Sequence, residues 1–390
     1  MIEPKQTKRA FQAAFGKGKT RDFFSPGRIE VVGNHTDHNH GLAVGACIDR
    51  GITASVKKND DGCIQIASVG YKPFTFYVDE LKYKASEKGT ALALTKGVLF
   101  GLKERGYRIG GFQAALMSDI QSGSGLSSSA CFECLIAKII DVLYNDGDID
   151  PKIIAEIGQY AENVYFGKPC GLLDQTAIAC GGVNLLDFGA EDGIGVTPLQ
   201  YHLPLKNVLI NTGSSHEGLD ALYARIPQDM RLVAENILGV TYLGQASEEE
   251  WMRAVSTGNL AVSESAKLTA QHFFDENKRC HTVVKALKEN DSLTFLQALR
   301  ESQLSMTTFL HNTMVPGQYT RSPQQAIDLA TPFVGQGVVR MMGGGFAGSV
   351  LAYVYPADLA KFKEAMASYY GEKNVYEISF WPKGPSEIAA

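Results

Sequence analysis

Residues 118–130 read Ser118-Asp119-Ile120-Gln121-Ser122-Gly123-Ser124-Gly125-Leu126-Ser127-Ser128-Ser129-Ala130. These types and this spacing suit phosphate chemistry. Glycines let backbone N–H groups approach a ligand closely, and a helix N-terminus carries partial positive charge. Where the two coincide the chain offers a cradle for phosphate oxygens. The candidate cradle is Gly123, Ser124, Gly125, Leu126, Ser127, Ser128 and Ser129. Its consecutive serines add hydroxyl groups, one of which can ligate Mg²⁺, a hard cation that prefers oxygen. The same residues also suit a plain N-capped helix after a flexible turn, because serine is a favoured cap.

A second constellation surrounds one acid. Gly167-Lys168-Pro169-Cys170-Gly171-Leu172-Leu173-Asp174-Gln175-Thr176-Ala177 places Asp174 among small and apolar residues. An acid in such surroundings is desolvated or paired with a cation. It can orient or deprotonate a substrate hydroxyl, or simply cap a helix. Glu162 lies twelve residues earlier, on the preceding expected helix, and offers a second carboxylate oxygen to a metal.

The third constellation is Ser25-Pro26-Gly27-Arg28-Ile29-Glu30-Val31-Val32-Gly33-Asn34-His35-Thr36-Asp37-His38-Asn39-His40-Gly41. His35, His38 and His40 invite a transition-metal reading. Apart from Asp37, no further ligand cluster at metal spacing accompanies them, so no metal is expected there. A loop that alternates donors and acceptors fits a hydroxyl-rich ligand better. A polar turn that satisfies itself is the competing reading.

Two glycine motifs mislead. Gly18-Lys19-Thr20 resembles the end of a Walker A loop, but position 13 is Ala13 where the first glycine belongs. Gly343-Gly344-Gly345-Phe346-Ala347-Gly348 satisfies G-x-G-x-x-G, yet a β-branched run, Ser349 to Tyr355, follows it instead of a helix.

The elements that must position these residues are mixed. Strands are expected at Ile29–Val32, Ile52–Val56, Ile64–Val69, Phe74–Val78, Phe112–Met117, Val183–Phe188, Val208–Asn211, Val338–Met341, Ser349–Tyr355 and Val375–Phe380. Helical periodicity marks 90–105, 130–145, 151–166, much of 217–310, and Ala357–Tyr370. Strands and helices do not alternate regularly, which favours α+β. With 390 residues and 45% hydrophobic content the chain has room for two cores. A junction is expected near 190–205, dividing 1–200 from 201–390. The net charge of −5 argues against a nucleic-acid binder. No apolar run approaches a membrane span, and Met1-Ile2-Glu3-Pro4-Lys5 carries no hydrophobic signal core. A cytoplasmic protein is expected, with its seven scattered cysteines, including Cys131 and Cys134, as reduced thiols.

In order along the chain, these segments resemble the galactokinase branch of the GHMP small-molecule kinases. Pro26 to Asp37 is similar to the family's proline-glycine-arginine and histidine-threonine-aspartate motif. Gly123 to Ala130 resembles its nucleotide loop, and Gly171 to Gln175 its aspartate-glutamine segment, with Leu173 for methionine. Arg340 to Gly348 resembles its C-terminal glycine-rich motif, and Asn211-Thr212-Gly213 with Tyr223 and Arg225 a further sugar-facing stretch.

The resemblance implies a two-lobed fold: an N-terminal lobe like ribosomal protein S5 domain 2 and a ferredoxin-like C-terminal lobe, with the active site between them. It implies ATP-dependent phosphorylation of galactose at O1, giving galactose 1-phosphate and ADP. Asp174 is then the catalytic acid/base and Arg28 its partner. Asn34, His35, Thr36, Asp37, Asp174 and Tyr223 bind the sugar. Gly123 to Ser129 hold the triphosphate, with Ser68 near the nucleotide, and Ser129 and Glu162 contact Mg²⁺. The expected partners are a small sugar and ATP, with no nucleic acid or membrane, and a monomer is favoured. Three departures stand out: Asn34 where the family has glutamate, Gln303 where serine-histidine is usual, and no glutamate-leucine-aspartate pattern in 313–330. Asn34 opens the alternatives of galacturonate, arabinose or N-acetylgalactosamine as substrate. A sensor that binds without turnover is the alternative from a different class.

Overall fold

The computed structural model describes residues 1–120, 123–215, 218–258 and 260–388. Gln121 and Ser122 of the serine-rich stretch lie outside them. The chain opens with α1 (Pro4–Phe15), which the sequence did not predict. Only Thr7 and Phe11 of this helix are buried, too few to mark a periodic stripe.

Two long antiparallel strands then form the spine: β1 (Arg21–Val32) and β2 (Leu42–Lys58). Both are longer than their apolar patterns suggest, because nearly every position is buried and alternation is lost. The register of β1 against β2 shifts between Pro26 and Arg28. Such bulges re-aim side chains and cluster next to active sites. Strands β3 (Cys63–Ser68) and β4 (Phe74–Tyr77), helix α2 (Ala91–Glu104) and strand β5 (Phe112–Ser118) follow. Helices α3 (Ser128–Tyr144), α4 (Pro151–Tyr160) and α5 (Leu173–Cys180) come next, then β6 (Val183–Asp187) and β7 (Gly195–Leu199). The continuous helix expected over 151–166 is α-helical to Tyr160 and π-helical over Ala161–Phe166.

The second half holds β8 (Lys206–Asn211), α6 (Asp220–Val233), α7 (Glu248–Ser256), α8 (Glu264–Glu289), α9 (Ser292–Ser305), α10 (Pro323–Ala330), β9 (Val338–Met341), β10 (Ser349–Val354), α11 (Pro356–Tyr370) and β11 (Val375–Ile378). The last strand, β12 (Ser386–Ile388), returns to the first sheet and pairs with Asp22–Phe24 of β1. The first sheet runs β12-β1-β2-β5-β3-β4. Its long β2 pairs with β6 over Leu42–Ala46 and with β5 over Ile52–Lys58. The second sheet runs β11-β8-β10-β9, all antiparallel. The glycine run 343–348 is therefore a link between antiparallel neighbours and opens no helix. This is an α+β architecture. Residues 200–205 carry the chain from one sheet to the other.

Helix α3 buries Ala130, Cys131, Cys134, Leu135, Ile136, Ile139 and Ile140 in the core of the first sheet. Fully burying side chains of the Leu and Ile class contributes about 1.5–3 kcal/mol each, which fixes the helix and with it the loop at its N-terminus. Trp251, Phe273, Phe346 and Phe362 anchor a separate core beneath the second sheet. All seven cysteines are free. Among the described residues no helix is long and apolar enough to cross a membrane.

Candidate active site

The bulge in β1 presents Arg28, whose side chain is buried. Its Nε donates to Asp174 Oδ1 and its Nη2 to Asp174 Oδ2, each at 2.7 Å. Its Nη1 donates to Gly125 O at 2.6 Å. One guanidinium thus joins the acid at the start of α5 to the glycine-serine loop. Gly27 makes the approach possible: a Cβ there would lie 2.5 Å from Ile120 Cδ1 and 3.0 Å from Leu126 O. The Arg28 N–H also donates to Leu126 O at 3.3 Å.

The loop alternates in hand. Gly123, Gly125 and Ser127 all have positive φ, at 77°, 78° and 60°. Alternation of this kind turns backbone N–H groups towards a common concavity that suits anions. Ser127 precedes the first turn of α3 but does not cap it; its hydroxyl donates to Asp174 Oδ2. Burial alone would raise the Asp174 pKa, but Arg28 and the Ser127 hydroxyl hold it below the ordinary carboxylate value. The acid is therefore ionised at neutral pH, with about a third of its side chain exposed (32%).

Next to this pair a chain of hydrogen bonds runs from the half-buried Ser129 to two buried glutamates. Ser129 Oγ donates to Glu162 Oε1 at 2.8 Å. Gln175 Nε2 donates to Glu162 Oε2 at 2.9 Å and to Glu133 Oε2 at 3.1 Å. Burial, and for Glu133 also the neighbouring Glu162, pushes both glutamates above the ordinary value. Among the described residues neither has an ion-pair partner. Ser129 and Glu162 are two hard oxygen donors beside the glycine-serine loop, and a hydroxyl and a carboxylate are donor types that Mg²⁺ accepts. The π-helical turn that carries Glu162 is a further local irregularity at this point.

The histidine-rich loop after β1 faces the glycine run of the second half. His35 Nε2 lies 3.0 Å from Gly344 O, and His35 Nδ1 lies 3.1 Å from His38 Nε2. His40 stacks on Tyr242, with ring centroids 3.8 Å apart. Among the described residues no group of three or more His, Cys, Asp and Glu side chains is arranged to hold a metal ion. Asp37 Oδ2 accepts from the Leu173 N–H at 3.2 Å, which ties the loop to the segment bearing Asp174. Tyr223, on α6, donates to Gly345 O at 2.8 Å and packs edge-on against Phe346. Ser68 ends β3 in parallel register with Leu116 of β5, so both strands finish towards the edge where the serine loop begins.

Asn34 and Thr36 differ from the expected sugar contacts. Asn34 is fully buried; its Nδ2 donates to Glu30 Oε2 at 2.8 Å and to Gly343 O at 2.5 Å, and its Oδ1 accepts from Asn312. The Thr36 hydroxyl is also buried and is committed to Gly33 O and Leu42 O. Both side chains hold the loop in shape from inside.

Residues 9–58 match the galactokinase galactose-binding signature, and residues 93–182 match the GHMP kinases N terminal domain. The galactokinase of Clostridium beijerinckii is 31% identical to this chain, over 96% of the chain and 95% of the relative. The chain belongs to the galactokinase family. The crystal structure of the Lactococcus lactis galactokinase complexed with galactose superposes with a TM-score of 0.85 at 25% identity, covering 98% of this chain and 99% of that one. The Methanococcus jannaschii mevalonate kinase, at 14% identity and a TM-score of 0.66 over 94% of this chain and 99% of its own, shares the fold.

Within this galactokinase-family chain, four further side chains support the site, and the sequence did not single out two of them, Glu276 and His272. Glu276 of α8 accepts from the N–H groups of Gly33 and Asn34 at 3.0 and 3.2 Å, and from Ser302 Oγ at 2.7 Å. Burial would raise its pKa, but Arg279, His272 and Arg340 bring it down to about 2. His272, one helical turn earlier, lies 2.9 Å from Asn34 O; burial lowers its pKa to about 4, so it is neutral. Arg340 of β9 is wholly buried and holds Glu30 Oε1 together with the carbonyls of Glu30 and Val31. Gln303, one of the departures from the family pattern, accepts from the Met341 N–H at 2.8 Å and so braces the strand that carries Arg340. Nothing local in the sequence marks Glu276 or His272, or reveals what Arg340 and Gln303 hold, since each acts on a partner far along the chain.

Proposed function

We propose that this chain is a sugar 1-kinase that converts galactose and ATP into galactose 1-phosphate and ADP. The observation that carries this reading is the Arg28 guanidinium, shared between the Asp174 carboxylate and the Gly125 carbonyl. In this reading the acid faces the sugar hydroxyl and the loop faces the phosphates, and the one cation that contacts both supports it.

The sugar lies against His35, Asp37 and Tyr223, with its O1 hydroxyl directed at Asp174. The bond from O1 to the γ-phosphorus forms as the bond from that phosphorus to the β–γ bridging oxygen breaks. Asp174, ionised, orients the hydroxyl and takes its proton. Arg28 keeps the acid ionised and faces the charge that gathers on the transferring phosphoryl oxygens. The N–H groups of residues 123–129 hold the phosphates in line, and positioning of this kind does most of the work in phosphoryl transfer. Ser129 and Glu162 would hold Mg²⁺, which when bound neutralises phosphate charge.

Other sugars gain no support from Asn34. Its amide is buried and engaged by protein groups, so it does not bear on acceptance of a C6 carboxylate. A coupled ADP-release assay with galactose, galacturonate, arabinose and N-acetylgalactosamine tests the reading. Galactose is expected to give the highest kcat/KM, with phosphorus NMR placing the phosphate on O1. ATP binding without ADP release on any of these sugars would instead support a sensor.

A further inference from the structure

Glu30 near the end of β1 and Asn34 in the loop after it are both fully buried. One Glu30 oxygen accepts from Arg340 Nη2 at 2.9 Å; the other accepts from Asn34 Nδ2 at 2.8 Å and from the Gly343 N–H at 3.2 Å. Asn34 Nδ2 also donates to Gly343 O at 2.5 Å. The two side chains therefore fix both polar groups of the Gly343 backbone. The next two carbonyls of that run, Gly344 O and Gly345 O, meet the His35 ring and the Tyr223 hydroxyl. The pair stands directly behind the two residues assigned to the sugar.

We propose that Glu30 and Asn34 act as one positioning unit that aligns His35 and Tyr223 on the sugar. The unit carries its single carboxylate at position 30, whereas the galactokinase pattern carries one at 34. The proposal rests on the sugar-kinase reading of the site. The geometry requires one carboxylate and one amide between the two positions. With two carboxylates, like charges would meet at hydrogen-bond distance in a buried site. With none, the buried Arg340 would lose the carboxylate it contacts directly and keep only the more distant Glu276, and breaking a buried ion pair is strongly unfavourable. One of each satisfies Arg340 and leaves an N–H for the neighbouring carboxylate.

The test compares Glu30→Gln, Asn34→Glu and the combined exchange Glu30→Gln/Asn34→Glu. Steady-state kinetics are run against galactose and against ATP, with thermal melting as a check on folding. Glu30→Gln is expected to raise the galactose KM roughly tenfold or more, the scale of a lost charged hydrogen bond, with the ATP KM within about twofold. Asn34→Glu is expected to lose more than that. The exchange should recover at least about tenfold of the Asn34→Glu loss, a coupling of the size seen for contacting charged groups. An exchange variant no better than Asn34→Glu alone overturns the proposal. So does a Glu30→Gln protein whose galactose KM is unchanged or whose ATP KM rises in parallel. If Asn34→Glu fails to fold, a folded exchange variant with a measurable galactose KM supports the unit, and an unfolded one contradicts it. Wild-type protein that turns over no galactose would defeat the functional reading before any variant is compared, so the two failures are distinct.

Discussion

Arg28 and Asp174 meet through two parallel hydrogen bonds of 2.7 Å each, although 146 residues separate them in sequence. The fork of a guanidinium suits a carboxylate, and the fork still leaves Nη1 for Gly125 O. Lysine offers a single point charge and cannot make this set of contacts. Arg28→Lys should therefore lower kcat by about 10²-fold or more while the protein stays folded, since the cost of one lost transition-state donor is of that order. Single-turnover and steady-state rates compared with a melting curve check this; near-wild-type turnover would remove Arg28 from the transition state.

The same pair sets a pH dependence. The folded-state pKa of Asp174 is lowered from 3.8, by Arg28 and the Ser127 hydroxyl working against burial. A depressed carboxylate contributes stability above its unfolded pKa and loses that contribution as pH falls through the folded value. The acidic limb of kcat/KM owed to Asp174 should thus lie below the ordinary carboxylate range. In Ser127→Ala, which removes one of the groups that hold the pKa down beside Arg28 and Lys168, the limb should move to higher pH. A pH–rate profile for both proteins decides it, and an unmoved limb would mean that Ser127 does not tune the acid.

The two buried glutamates should separate functionally. Glu162 touches Ser129 at the mouth of the loop, whereas Glu133 reaches it only through Gln175. Glu162→Gln should raise the Mg²⁺ concentration for half-maximal rate by about tenfold, the lower end of what the loss of a ligand's support costs. Binding of Mn²⁺ followed by electron paramagnetic resonance should weaken in step. Glu133→Gln, nearly isosteric and replacing a group that burial keeps towards its neutral form, should leave both titrations within about twofold.

Gly27 offers a steric prediction. A methyl group there meets Ile120, and behind it the fixed Leu126 carbonyl at 3.0 Å. Overpacking of this kind costs about 1–3 kcal/mol. Gly27→Ala should lower the melting temperature and, by pushing the serine loop off Arg28, raise the ATP KM more than the galactose KM. Equal changes in the two KM values would mean that Gly27 serves the whole fold and not the loop.

The local signals in the chain were readable because they depend on residue type. The glycines and serines of 123–129 announced a loop at a helix start, and that helix begins at Ser128, two residues before the apolar periodicity does. Asp174 stood out as a lone acid among small residues. What escaped depends on partners remote in sequence. Glu276 and Gly33 are 243 residues apart, and Arg340 and Glu30 are 310 apart. Periodicity carries no information about such pairs. Asn34 shows the opposite hazard: a departure from the family pattern suggested altered sugar preference. Its burial against Glu30 instead gives the amide a neighbour that bears the charge. The full lengths of β1 and β2 were hidden by burial of nearly every position, which erases alternation.

The most direct test of the account is galactose-dependent ADP release by wild-type protein and by Asp174→Asn, measured side by side with their melting curves. Wild-type protein is expected to turn over galactose, and the nearly isosteric variant to fold alike with kcat lower by about 10²–10⁴-fold, the range for loss of a positioned acid–base group. A folded Asp174→Asn protein that phosphorylates galactose at the wild-type rate would contradict the account.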